Sequence, residues 1–281
     1  MNQMVSQSLA GVGFPIAFVL VAGALWFALF RRHARVRAIG IGWIVAGGIG
    51  LAYLLAFGGF TFPPRESGHW IPYLAGGAAL IGCFQFWGLR PIWSLGISLF
   101  TAVVFFWAQL LGNLQVLLWV LAFTAVLFVS AILLQQIIED RCSGAELSLG
   151  LALSAGAGGI GIFLGGSAVL GQISGTLGLV LGVVAVLAFV WNTTVGPIVP
   201  LIYVLIFDSL LLNGCLFAQL PWLTAVLLWI APWALLFGQR ADHPKVSRRL
   251  GSLCLRIIGV VTMVAIALVS AFLLAPPSSE M

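Results

Sequence analysis

The sequence has 281 residues, of which 62% are hydrophobic and only 7% are charged, and its mean hydropathy is +1.18. Soluble domains carry about 25% charged residues, so this composition excludes a water-soluble domain and predicts an all-α, polytopic integral membrane protein. The net charge of +5 comes mostly from basic residues in short loops beside apolar segments, so it gives no indication of nucleic-acid binding.

Ten apolar segments predict a bundle of about ten transmembrane helices in one domain covering residues 1–281. Charged residues, prolines and glycines separate these segments, and most are long enough to cross a hydrocarbon core of about 30 Å. In chain order the predicted spans are 9–30, 39–60, 70–89, 92–111, 114–138, 147–170, 174–191, 197–212, 221–237 and 250–274.

The basic residues predict the orientation of this bundle. Ten of them lie in or beside odd-numbered loops, whereas among the even-numbered loops only one holds a basic residue, Arg65. The positive-inside rule then predicts that both termini lie outside, in an integral membrane protein that we expect in a bacterial inner (plasma) membrane. The ten are Arg31, Arg32, Arg35, Arg37, Arg90, Arg141, Arg240, Lys245, Arg248 and Arg249.

The stretch from Ser143 to Asn192 is rich in glycine and too long for one crossing, so it predicts a tight helical hairpin with its turn near residues 171–174. Small residues recur at the spacing of one helix face, which lets helices pack closely in lipid. The alternative interpretation is a hinge that lines a substrate path. The packing glycines are Gly150, Gly158, Gly161 and Gly165 on the first helix, and Gly175, Gly178 and Gly182 on the second.

Asp208 is the one acidic residue clearly inside a predicted span, and its helical neighbours are apolar. A carboxylate is costly there, so the side chain is expected to be protonated or paired with another helix. One interpretation is a proton or ion site in the outer third of the span, with His69, Glu66 and Arg65 as partners. The other is a carboxyl that reaches water at the outer edge, beside Asn213.

Arg256 is the second charge inside a span and shares a helix face with Arg249. Snorkelling of Arg256 to the inner surface is the first interpretation, and contact of Arg249 and Arg256 with an anion or a lipid headgroup is the second. The acidic residues Glu139, Asp140 and Glu146 are expected to solvate the inner edge. Glutamines in or near the spans, including Gln85 and Gln135, are expected to bond between helices.

No motif of known chemistry occurs in the sequence, and neither the four cysteines nor the three histidines show metal-ligand spacing. We therefore expect no cofactor, no metal and no catalytic residue. The first functional hypothesis is a transporter-like or channel-like protein. The second is a non-catalytic subunit or assembly factor that contacts lipid and other membrane subunits. The third is an enzyme acting on lipids, which would require the inner acids to converge.

Overall fold

The fold of this chain is all-helical wherever the structure describes it. The structure is a computed structural model, and it describes residues 2–60, 62, 64, 66–85, 90–106, 114–138, 142–236 and 246–274. Within these ranges there are ten α-helices and no strands, as expected where a backbone in lipid must satisfy its own hydrogen bonds.

Seven of the ten helices are long and apolar enough to cross a membrane, within the described ranges. Each of the ten corresponds to one predicted span, so the prediction of a helical membrane bundle is confirmed. The number of crossings and the outward orientation of both termini remain predictions. The helices are α1 (Asn2–Leu29), α2 (Ala34–Phe57), α3 (Ile71–Gln85), α4 (Arg90–Phe106), α5 (Leu114–Ile132), α6 (Gly144–Leu164), α7 (Ala168–Val190), α8 (Ile198–Phe217), α9 (Trp222–Ile230) and α10 (Val246–Leu274).

Three short irregular helical segments occur within the described ranges. A 3₁₀ turn, Ser67–Trp70, precedes α3. A π-helical segment, Leu133–Ile138, continues α5, and a 3₁₀ segment, Ala231–Leu236, continues α9. The predicted spans 114–138 and 221–237 therefore each contain one α-helix and one segment of different winding.

The hairpin of α6 and α7 exists, but its turn lies earlier than predicted. Helix α6 ends at Leu164, and Ser167 caps α7 by accepting a hydrogen bond from the Leu170 backbone N–H. Gly166 between them has φ +108°, a left-handed conformation that favours glycine. The prediction of a turn at residues 171–174 was wrong because Gly171 packs against the other helix instead of reversing the chain.

The two helices of the hairpin approach each other through glycine backbones. A Cβ added to Gly178 would lie 2.6 Å from the backbone nitrogen of Gly156, and one added to Gly159 would lie 2.7 Å from the backbone nitrogen of Gly175. Gly171 likewise lies against the carbonyl of Gly159. Such separations are too short for any side chain, so glycine at these positions permits close packing of the hairpin.

The first predicted glycine stripe meets mainly α8 and the α9 region, although a Cβ added to Gly158 would also lie 3.2 Å from the Ser174 hydroxyl of α7. Gly150 faces Leu235, Gly158 faces Phe207 of α8, and Gly165 faces the carbonyl of Ala218. Gly161 is not tightly packed, since the nearest atom to an added Cβ there is 3.5 Å away. The stripe therefore packs α6 mainly against α8 and the α9 region. This pairing could not be predicted from the sequence, because several faces of α6 carry small residues.

On α7 the second stripe is split. Gly178 belongs to the hairpin contact, whereas a Cβ added to Gly175 or Gly182 would meet nothing within 4 Å. The prediction of a packing stripe is thus right for Gly178 and wrong for Gly182.

Helix α8 is the centre of the bundle. Of its most apolar window 89% lies inside the protein, against 22% for the comparable windows of α1 and α10. It contacts α3, α5, α6, α7 and α9. A side chain on α8 is therefore surrounded by protein on most sides.

A buried ring of hydrogen bonds, which we call the amide ring, joins two glutamine amides and one serine hydroxyl near the start of α8. Gln85 donates to the Ser94 hydroxyl (3.0 Å), Ser94 donates to Gln135 Oε1 (3.2 Å), and Gln135 donates to Gln85 Oε1 (3.0 Å). Gln135 also donates to the carbonyl of Pro197 (3.1 Å). These bonds join α3, α4, the π segment and the start of α8, which confirms that Gln85 and Gln135 bond between helices.

Candidate functional site

Asp208 lies near the middle of α8, ten residues after its first residue and nine before its last. Its side chain is 5% exposed. The predicted position in the outer third was wrong, because Asn213 and Gly214 do not end the helix. Asn213 donates its side-chain amide to the Ser209 carbonyl within α8, and the helix continues to Phe217. The carboxyl is therefore deep in the bundle.

Ser130 of α5 and Trp229 of α9 lie beside the Asp208 carboxyl. They are also bonded to each other, since the Trp229 indole N–H donates to the Ser130 hydroxyl at 2.8 Å. Three helices thus meet at one cluster of polar side chains. The indole and the hydroxyl are uncharged, so neither adds a positive charge beside the carboxyl.

One carboxyl oxygen of Asp208, Oδ2, has no hydrogen-bond partner among the described residues. The hydroxyl of Ser209, next to it on α8, is also buried and unpartnered there. A buried polar atom without a partner costs about 1–3 kcal/mol, and in native proteins such atoms commonly mark bound water or a functional role. The cluster therefore has acceptor capacity that the surrounding protein does not use.

A groove with a volume of about 240 Å³ adjoins Asp208, between α5, α8 and α9. Its walls are almost entirely apolar, and it opens where Trp119 and Trp222, each 51% exposed, face each other at the surface. We call it the Asp208 groove. Its principal lining residues are Phe106, Trp119, Phe123, Asp208, Trp222 and Trp229.

Two of the helices that line the groove change their winding shortly after it, close to Ser130 and Trp229. The π segment of α5 begins at Leu133, three residues after Ser130, and the 3₁₀ segment of α9 begins at Ala231, two residues after Trp229. The two segments contact each other. Interruptions of this kind inside membrane helices frequently occur at functional sites, because they can shift winding at low cost.

Arg256 forms a buried ion pair with Glu146. Arg256 Nη1 lies 2.9 Å from Glu146 Oε2, the guanidinium residue is 1% exposed, and the thiol of Cys142 lies 3.5 Å from the same nitrogen. Glu146 also completes the capping box at the start of α6 with Ser143. The snorkelling interpretation of Arg256 was therefore wrong, as was the expectation that Glu146 only solvates an edge.

The other candidate residues lie elsewhere. His69 packs edge-on against Tyr53 and Phe57, with ring centroids 6.5 and 5.8 Å apart, and Glu66 is exposed. Neither lines the Asp208 groove, so the structure does not bring them together with Asp208. Arg249 belongs to α10, but its side chain lies outside the described residues, as do Arg65, Glu139 and Asp140.

Ser130 and Trp229 are the neighbours of Asp208 that sequence reasoning missed. Serine and tryptophan are common in membrane helices, and nothing in their sequence positions points toward Asp208. A signal did exist in the polar Ser130 within the apolar α5, but it does not say which helix the hydroxyl meets.

Comparison with known protein families, curated proteins and solved structures gives no significant match. Among the described residues, no group of three or more His, Cys, Asp and Glu side chains could hold a metal ion. The interpretation of the site therefore depends on its geometry alone.

Proposed function

We propose that this polytopic membrane protein moves a proton or another cation across the bilayer, as a transporter or channel does, and that Asp208 carries the ion. The observation that supports this is the buried carboxyl of Asp208, whose Oδ2 has no partner among the described residues, in the middle of the central helix and beside a groove that opens at the surface. Acidic residues inside a membrane are costly, and where they occur they commonly mark ion or proton pathways.

The irregular segments of α5 and α9 support the same proposal. Alternating access requires helices that can rearrange around a fixed site, and discontinuous helices near the bilayer midplane are a recurrent way to build one. Here both irregular segments start within three residues of a side chain that reaches Asp208. A change in their winding would alter the partners of the carboxyl.

The test is ion flux through the purified protein in liposomes that contain a pH-sensitive dye. After a pH gradient or a potassium diffusion potential is imposed, the parent protein should change the internal pH faster than protein-free liposomes. Asp208→Asn should reduce the flux to that background. Glu66→Gln is the matched control, because it makes the same chemical change at an exposed residue and should retain the flux.

Two results would contradict the proposal. One is a folded Asp208→Asn protein with parental flux. The other is a parent protein whose liposomes respond like empty ones, which would favour a role as a subunit of a larger complex. The open position at Gly182 of α7 favours that second candidate, because a small residue with open space beside it allows another helix to pack closely.

The subunit hypothesis has its own test. Gly182→Trp places a large side chain on the outer face of α7 without disturbing the hairpin, so it should break a native assembly while leaving the isolated protein folded. The measurement is the mass of the particle extracted from native membranes. A particle mass equal to that of the lone chain, for parent and variant alike, would rule this hypothesis out.

A further inference from the structure

We propose that the Asp208 groove binds a hydrophobic organic cation, an amine or quaternary ammonium ion carried by an aromatic or branched aliphatic body. This rests on the proposed function in taking Asp208 as the ion-binding group, and it adds the chemical class of the ligand. The charged end of the ligand lies at Asp208, and its apolar body extends toward Trp119 and Trp222.

The charge of the groove selects a cation. Asp208 is the one ionisable acid among its described lining residues, and no Lys, Arg or His is among them. Asp208 Oδ2 is buried and has no partner among the described residues, and an ammonium ion at the inner end of the groove would neutralise this carboxylate. When the ligand leaves, a proton can neutralise the same oxygen, which links cation binding to proton release.

Aromatic rings line the path to this carboxyl. Trp119 and Trp222 stack at 6.5 Å between ring centroids, and Phe106 and Phe123 meet edge to face at 6.3 Å. Trp229 completes the wall beside Asp208. The faces of aromatic rings attract cations, tryptophan most strongly, and recognise quaternary ammonium groups in particular. Aromatic and aliphatic walls would also hold the apolar body.

The size of the groove fits a ligand with one ring and a small charged head. An apolar cavity of about 150 Å³ accepts benzene, so a volume of about 240 Å³ accepts a benzene ring with several further heavy atoms. Trp229 lies seven positions after Trp222 on α9, which corresponds to roughly 10 Å along the helix. This is the length of a short aromatic amine.

Two other occupants are disfavoured by the same observations. A hard metal cation requires several oxygen ligands, whereas the described groove offers one carboxyl and otherwise apolar atoms. A lipid acyl chain would fill the apolar walls but would leave the Asp208 oxygen unsatisfied. An organic cation satisfies both the walls and the carboxyl.

The experiment measures binding of radiolabelled benzyltrimethylammonium to the purified protein in detergent, with neopentylbenzene, its uncharged carbon isostere, as competitor. We expect saturable binding that the neutral isostere displaces at least about tenfold less effectively than unlabelled cation. Binding should weaken as pH falls, because protons compete for Asp208. Asp208→Asn should weaken it by at least about tenfold.

Trp222→Leu provides a second variant that keeps the fold, because this side chain is half exposed. We expect it to weaken cation binding about threefold to fivefold through loss of the ring face. Trp43→Leu is the matched control: Trp43 is 41% exposed on α2, does not line the groove, and should leave binding unchanged.

Equal displacement by the neutral isostere, with no effect of Asp208→Asn, would overturn the proposal in favour of an acyl-chain site. Absence of binding to a folded parent protein would overturn it outright. Asp208-dependent binding without ion flux would leave this inference standing and remove the proposed function. Asp208-dependent proton flux without cation binding would leave the proposed function standing and overturn this inference.

Discussion

The hairpin region, formed by α6, α7 and the adjoining part of α10, differs from the groove region formed by α5, α8 and α9. In the hairpin region glycines bring backbones together, and the buried charge of Arg256 has its carboxylate. In the groove region aromatic rings leave a cavity, and the buried carboxyl of Asp208 keeps an oxygen without a partner among the described residues. Adjacent residues of α8 face the two regions, Phe207 the first and Asp208 the second.

The two regions therefore bury their charged groups differently, the first beside an opposite charge and the second without a partner for one oxygen among the described residues. Lipid tails are as apolar as leucine, so helices associate in a membrane through close packing and interhelical hydrogen bonds. The hairpin region uses both, and a change there should cost stability. The groove region has an open cavity in place of close packing and a carboxyl oxygen without a partner among the described residues. A change there should therefore affect function more than folding. The predictions below test this contrast, beginning with the largest expected effect.

Replacing Glu146 by Ala should lower the free energy of unfolding by about 3–5 kcal/mol, because it leaves the guanidinium of Arg256 buried without this carboxylate. It also removes half of the capping box of α6. The measurement is reversible unfolding in mixed micelles, followed by circular dichroism.

Two controls sharpen that measurement. Glu66→Ala, at an exposed position, should change the stability by less than about 0.5 kcal/mol. The double variant Glu146→Leu with Arg256→Met removes both charges and should recover much of the loss. A single Glu146→Ala variant as stable as the parent would mean that the ion pair does not hold α10 to the hairpin.

Replacing Gly178 by Ala should cost about 1–3 kcal/mol, because the new Cβ would lie 2.6 and 2.8 Å from backbone atoms of α6, which cannot move aside locally. Gly182→Ala is the matched control one turn later on α7. Its Cβ meets open space, and alanine favours the helix, so this variant should be neutral or slightly more stable. Equal stability of the two variants would show that the hairpin does not depend on close backbone contact.

The glycines also show what a sequence can and cannot predict here. Hydropathy and the loop charges predicted one span for each of the ten helices, because a helix that crosses lipid needs a long apolar run, but the helix ends differ from the prediction by up to seven residues. The partner of each face could not be predicted. Small residues at Gly150, Gly156 and Gly159 occur around α6, and only the fold decides that Gly159 meets α7 while Gly150 meets Leu235.

The polar residues show the same limit. Asp208 was identified from sequence because an acid in an apolar span is rare, yet two of its predicted loop partners, His69 and Glu66, do not line its groove. Its actual neighbours, Ser130 and Trp229, come from helices distant in sequence. Likewise, the sequence placed Arg256 in a span, but the pairing with Glu146 spans 110 residues of chain.

Replacing Gln135 by Leu should lower the free energy of unfolding by about 1–3 kcal/mol. The change removes the shared member of the amide ring, so Gln85 loses a donor to its carbonyl, and Pro197 loses the side-chain donor to its backbone oxygen. Gln172→Leu is the control, because Gln172 is only half buried at the start of α7. An unchanged stability of Gln135→Leu would mean that other donors or water replace the lost bonds.

Replacing Asp208 by Leu should have the smallest effect on stability and the opposite sign, a gain of up to about 1 kcal/mol. The change removes a buried carboxyl whose Oδ2 has no partner among the described residues, and Ser130 and Trp229 keep their mutual hydrogen bond. The leucine can extend into the apolar groove.

The control is Asn213→Leu on the same helix, which should be destabilising because the Asn213 amide is buried and hydrogen-bonded. Both are measured by unfolding in mixed micelles, beside flux in liposomes. A more stable Asp208→Leu protein without flux would mean that the bundle keeps a costly carboxyl for its function. A loss of more than about 2 kcal/mol would instead place Asp208 with Glu146, as a charge that holds the fold together.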